Sequence, residues 1–214
     1  MKDTKAIILE TALDLFNTLG LAKVTLRTIA NTMGISQGNL NYHFKKREDI
    51  IAALYFQLVK NMDENMSTLK HTNNTLRVLF DISNTIMHAF YKYRFFLLDF
   101  VQIIRENKKI KKHYLELTKL REKQFLSLFH LLVDRKVMRK EILPNEYENL
   151  YKRFQILGDF WISSAQIVTN KLTKNSILIY SEIISQAIFP YLTDNGKKEY
   201  LLLISQEHFK QKYV

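Results

Sequence analysis

Apolar side chains recur early in the chain at Ile8, Leu9, Ala12, Leu15, Phe16 and Leu19, a spacing that lays one stripe along one side of a helix. The pattern predicts a helix over residues 4–19. Gly20 stops it, where the residue past a helix end often turns left-handed. Thr25 reads as the N-cap of a second short helix running to about Met33. Gly34 and Ile35 make a turn, and Ser36 caps a third helix ending near Phe44. Arg47-Glu48-Asp49 then opens a long fourth helix, its acids in the first turn where the dipole favours them.

Further on the periodic segments lengthen. Asn73 or Asn74 is placed to cap a helix to about Tyr91, and Arg94 to Glu106 reads as another. Lys109 to Val137 is long and amphipathic. Leu143-Pro144 marks a break, with Pro144 suited to the first turn of a helix through Thr169. Helices over Thr173–Leu192 and from Lys197 past Phe209 complete the pattern. With 5 Gly and 2 Pro in 214 residues, turns that need positive φ are few and an all-α fold follows. No repeat and no low-complexity tract interrupts it.

Residues 25–44 carry the most specific arrangement. Ile29, Ala30 and Met33 face inward on one short helix, Ile35 fills the corner, and Leu40 and Phe44 face inward on the next. A small residue where two helices cross, a glycine turn and an apolar plug are what a helix-turn-helix needs. The opposite face of the later helix would be presented to a DNA groove. Gln37 and Asn41 share that face with Gly38 and Asn39, and side-chain amides can bond both N6 and N7 of adenine. Ser36, Tyr42, His43, Lys45 and Arg47 flank it with groups suited to phosphate oxygens. Between Asn31 and Arg47 there is no acid, in a chain holding 21 Asp and Glu.

Thr25-Leu-Arg-Thr-Ile-Ala30, Gly34-Ile-Ser-Gln-Gly-Asn-Leu40, Tyr42-His-Phe44 and Arg47-Glu48 together resemble the TetR/AcrR family of transcriptional regulators. The resemblance covers about the first 50 residues. It implies a three-helix DNA-binding domain at 1–50, then a larger helical ligand-sensing and dimerisation domain at 51–214, the two joined inside the fourth helix. It also implies a homodimeric repressor whose recognition helices enter successive major grooves of a near-palindromic operator. By the same resemblance Thr25, Ser36, Tyr42, His43 and Arg47 contact phosphates, while Gln37, Gly38 and Asn41 lie at the bases. Two positions depart from the family: Asn41 stands where Tyr is usual, and Arg47 where Lys is.

In the larger part, aromatic residues concentrate where a core or an apolar cavity would form. Candidates for lining an effector site are Tyr91, Phe96, Phe100, Phe125, Phe129 and Phe154. The polar residues His88, Asp99, Gln155 and Asp159 interrupt the same apolar runs. A mainly apolar or aromatic small molecule is the expected effector. For the dimer, one strip comprises Ile156, Leu157, Gly158, Phe160, Trp161 and Ser164, and a second comprises Ile177, Tyr180, Ile184 and Ile188; the alternative is that both strips are intramolecular core.

A formal charge of +11 suits a polyanionic partner. With no Cys, thiolate metal sites and thiol nucleophiles are excluded. The six His are scattered without ligand spacing, and no phosphate loop or nucleophile elbow occurs. Neither an enzyme, a metal nor a cofactor is expected. The N-terminus lacks a signal-peptide core and no apolar run is long enough for a bilayer, so a cytoplasmic location is expected. The alternative is a basic helical protein of membrane surfaces or partner proteins, suggested by Lys108, Lys109, Lys111 and Lys112.

Overall fold

Capping side chains set the starts of the first helices. In the computed structural model, which describes residues 3–68, 75–169 and 172–212, Asp3 accepts the Lys5 N–H at the start of α1 (Thr4–Leu19). This helix buries Ile8, Ala12 and Phe16, while Leu19 is exposed. Gly20 ends it at φ 83°, and a 3-10 turn (Leu21–Lys23) follows. Thr25 and Thr28 cap each other at the start of α2 (Leu26–Met33), so two donors that a helix start leaves bare are satisfied. Gly34 closes α2 in the left-handed region at φ 68°, where a Cβ would cost about 1–2 kcal/mol. Ser36 caps α3 (Gln37–His43) by accepting the Asn39 N–H at 3.2 Å. Asp49 does the same for the Lys46 N–H ahead of α4 (Arg47–Thr68).

The remaining helices are α5 (Thr75–Lys92), α6 (Arg94–Leu98), α7 (Phe100–Glu106), α8 (Lys108–Asp134), α9 (Glu146–Thr169), α10 (Lys174–Gln186) and α11 (Asp194–Lys212). Among the described residues no strand forms beyond one isolated bridge between Met138 and Leu192. The expected cap at Asn73 or Asn74 lies outside the described residues.

Three elements differ from expectation. The 94–106 segment breaks at Asp99 (φ −106°, ψ 21°). Phe95, Phe96 and Leu97 are all buried, and three successive positions span about 200° of a helix, so a straight amphipathic rod cannot bury them against one face. Helix α9 starts at Glu146, not Pro144, because Asn145 is left-handed at φ 58°. Helix α10 ends at Gln186, and Pro190 sits in a separate 3-10 turn (Phe189–Tyr191). Proline has no N–H to continue the ladder.

The chain forms two compact units. The first comprises Met1–Glu64 with Ala89–Leu115, the second Asn65–His88 with Glu116–Val214. The first therefore takes in more than the 1–50 segment. Phe16 stacks on Phe95 with ring centroids 5.0 Å apart, which draws α6 into the packing of α1. In the second unit Phe129, Leu132, Met138, Tyr147, Ile188 and Tyr200 belong to one core. The first turn of α11 packs so tightly that a Cβ on Gly196 would lie 2.1 Å from the Val137 carbonyl oxygen. Only glycine fits there.

Candidate nucleic-acid interface

Burial of Leu40 and Phe44 decides which side of α3 faces out. Both are in the core, and Ala30 is fully buried where α2 and α3 meet. The turn between them is closed by the Ile35 N–H donating to the Ala30 carbonyl and the Gly34 N–H to that of Asn31, each at 3.1 Å. Lys5 lies 5.5 Å from the Phe44 ring centroid and covers it from α1.

Opposite this core face, Thr25, Ser36, Gln37, Gly38, Asn39, Tyr42 and Lys45 are exposed. Tyr42 stands out most, at 80% exposure. Its ring meets His43 edge-on at 5.3 Å, and His43 is half-buried. The Thr25 and Ser36 hydroxyls already accept backbone N–H groups in their caps. The Ser36 hydroxyl retains a donor for a phosphate oxygen, whereas the Thr25 hydroxyl is also 2.9 Å from that of Thr28, where one of the pair donates to the other.

Two candidates stand differently from expectation. Asn41 is only half-exposed, and its amide oxygen is buried without a partner. The full amide face expected for base readout is therefore presented by Gln37 and not by Asn41. Arg47 turns inward: its Nη1 donates to the Leu21 carbonyl at 3.1 Å and to that of Val24 at 3.4 Å. The carbonyls of Leu21, in the 3-10 turn, and of Val24, just after it, hold the guanidinium expected at phosphate.

The effector candidates are divided between the two units. Tyr91, Phe96, Asp99 and Phe100 belong to the first unit, and His88, Phe125, Phe129, Phe154, Gln155 and Asp159 to the second. Phe96 is core, stacked on Tyr55 at 5.2 Å. Tyr91 lies under the Arg94 guanidinium at 5.3 Å. Burial pushes the Asp99 carboxyl above its usual range, opposed by a bond from the Leu21 N–H and by the Arg47 charge. That places Asp99 beneath the reading head, away from the role of orienting an effector. His88 is exposed. In the second unit Phe125 lies 6.2 Å from Phe129, 6.4 Å from Phe154 and 5.6 Å from Tyr151. These rings form one cluster. Burial raises the Tyr151 hydroxyl to about 12, and it donates to the Thr118 carbonyl at 3.0 Å.

The dimer candidates need correction. Trp161, Ile177, Ile184 and Ile188 are buried within the chain, Leu157 and Tyr180 are half-buried, and Phe160 and Ser164 are exposed. Trp161 packs on Tyr180 at 5.5 Å, and the Tyr180 and Ser164 hydroxyls are 3.2 Å apart. Of the expected α9 strip, Ile156 and Phe160 do lie on its exposed apolar face, which continues through Ile167 and Val168, while the exposed apolar face of α10 carries Ile179 and Ile183 in place of the expected residues. Both helices are apolar on two sides, which periodicity alone does not resolve. The signal was a surplus of apolar residues beyond one stripe.

Lys108, Lys109, Lys111 and Lys112 are exposed at the start of α8. Among the described residues no helix is long and apolar enough to cross a membrane.

An all-helical chain with a capped helix-turn-helix, its polar recognition face outward, is a DNA-binding regulator of transcription. Residues 8–54 match the model of bacterial regulatory proteins of the tetR family, and residues 57–200 match that of the TetR bacterial transcriptional repressors. The chain belongs to the TetR family, whose members are ligand-responsive DNA-binding transcriptional regulators. It is 34% identical over 70 residues to the class C tetracycline repressor protein of Escherichia coli, a match spanning 33% of this chain and 28% of that repressor. Its fold is similar to that of a TetR-family transcriptional regulator from Marinobacter aquaeolei VT8, with a TM-score of 0.85 at 22% identity over 95% of this chain and 98% of the other. The ketosteroid transcriptional regulator KstR2 of Mycobacterium tuberculosis also shares the fold, with a TM-score of 0.73 at 14% identity over 91% and 97% of the two chains.

Proposed function

We propose that this chain is a cytoplasmic repressor that binds a near-palindromic operator as a homodimer and leaves it when a mainly apolar or aromatic small molecule binds. The outward face of α3 carries the reading. Gln37 has an exposed amide for base edges with Asn39 on the same face, Gly38 lets the protein backbone approach the groove floor, and Tyr42 and Lys45 reach the DNA phosphates. No acid between Asn31 and Arg47 opposes the phosphates.

Dimerisation is supported by the exposed faces of α9 and α10. Ile167 and Val168 are 79% and 75% exposed, and contiguous apolar surface of that kind marks an interaction site. Two copies would present their α3 helices about one turn of DNA apart, roughly 34–36 Å. The effector reading is supported by the partly buried rings of Phe125 and Phe154 at the edge of the core that holds Phe129 and Tyr151, with Gln155 and Asp159 beside them on α9. A molecule that prefers a dimer with another head spacing lowers operator affinity by its differential affinity for the two states.

Selection of bound duplex from a random pool tests this directly. The expected product is an inverted repeat, bound with an affinity whose logarithm falls linearly with log salt. Recovery of unrelated sequences, or binding insensitive to salt, counts against it.

A further inference from the structure

Asn17, near the end of α1, reaches across to backbone groups at the break between α5 and α6. Its amide nitrogen donates to the Lys92 carbonyl at 2.9 Å, and its amide oxygen accepts the Phe95 N–H at 3.1 Å. Those are groups left without helical partners where α5 stops and α6 begins. One residue earlier, Phe16 stacks on Phe95. Inside the head, Arg47 donates to the Leu21 and Val24 carbonyls and so joins the start of α4 to the turn after α1. The break at Tyr93 is therefore tied to the reading head within one compact unit, and the head is braced internally at its other side.

We propose that Asn17 and Arg47 are positioning residues: Asn17 fastens the reading head to the helix break at Tyr93, Arg47 fixes the turn at Leu21 and Val24 within the head, and together they set the orientation in which α3 meets DNA, without touching DNA themselves. The proposal rests on the operator-binding homodimer above. Its consequence is specific to two-headed binding. When both heads engage, the second contact depends on how well the geometry matches the half-site spacing. A loosened head still grips one half-site but no longer meets the second in register.

The probes are the duplex selected from a random pool, the same duplex with one half scrambled, and versions with the half-sites one base pair closer or further apart. Asn17→Ala and Arg47→Gln are compared with the unaltered protein by fluorescence anisotropy across a salt series. Affinity for the full site is expected to fall about tenfold or more, with half-site affinity and salt slope unchanged. Altered spacing should restore part of the loss in the variants while weakening the unaltered protein. An equal loss on full and half-sites overturns the proposal. So does a salt slope reduced by about one in Arg47→Gln, the mark of a phosphate contact. Asn17→Asp, which keeps the shape and the acceptor but loses the donor, repeats the measurement with the least disturbance to folding. If the unaltered protein binds no duplex, the operator reading fails and takes this proposal with it; a failure confined to the variants removes this proposal alone.

Discussion

Arg139 grips Glu146 with both terminal nitrogens of its guanidinium, at 2.8 and 2.7 Å, and the Ile142 N–H adds a third bond at 2.8 Å. The Tyr147 hydroxyl donates to the Arg139 carbonyl, and the Arg139 guanidinium lies over the Tyr191 ring at 5.1 Å. A planar fork meeting a carboxylate is among the stronger polar contacts in proteins. Here it holds Glu146, the first residue of α9, against the segment that precedes the helix.

Glu146 should make stability depend on acid. The Arg139 bonds, helped by the Ile142 N–H, hold its carboxyl at about 2, below the ordinary 4.5. A depressed carboxyl stabilises the fold above its ordinary value and loses that contribution as pH falls towards the depressed one. Glu146→Gln is therefore expected to melt lower than the unaltered protein at neutral pH, with the gap closing as pH drops from 4.5 towards about 2. Thermal melts across that range measure it. A gap that stays constant with pH would show that the charge of Glu146 contributes nothing.

Base readout should rest more on Gln37 than on Asn41. Gln37 is exposed, whereas the Asn41 amide oxygen is buried and unpartnered. Gln37→Ala is expected to cost about 1–3 kcal/mol on the selected operator and little on random duplex. Asn41→Ala should cost less, since its amide oxygen is already turned away from the surface that would meet a base. Competition binding with both duplexes ranks them. A larger specific loss for Asn41→Ala would reverse the assignment.

The reading head was legible in sequence because its signals are local. Thr25, Gly34, Ser36, Leu40 and Phe44 each act within a few residues, and each sits where its chemistry demanded. What was missed depends on contacts distant in sequence. Nothing near Asn17 signals that its amide spans to Lys92 and Phe95, and Arg47 looks like a phosphate ligand until Leu21 and Val24 are found beside it. The α9 and α10 strips failed for another reason: a helix apolar on two sides has the right period for either face. Gly196 could be seen as a glycine but not as a close approach, because Val137 is 59 residues away in the chain.

Those two faces of α9 predict opposite outcomes for neighbouring residues. Trp161 is 2% exposed and Ile167 79%. Trp161→Ala should cost about 3–5 kcal/mol of folding stability, as large-to-small changes in a core do. Ile167→Asp should leave a folded chain that no longer dimerises and binds the operator weakly. Light scattering at micromolar protein, with melts of the same samples, separates the effects. A dimeric Ile167→Asp protein would place the interface elsewhere.

Gly38 offers the most direct separation of fold from function. It has no positive φ, and a Cβ built on it would meet only the Ser36 hydroxyl, at an ordinary 3.8 Å. The free protein therefore has no need of glycine there, and in a helix glycine is about 1 kcal/mol less favourable than alanine. Gly38→Ala is expected to melt at the same temperature or higher. If α3 lies against the groove floor, the added methyl should nevertheless weaken operator binding, because it holds the backbone away from the bases. Melting curves and operator titrations on one preparation test both halves together. A variant that is stabilised and binds as tightly as before would show that α3 does not come that close to DNA at Gly38.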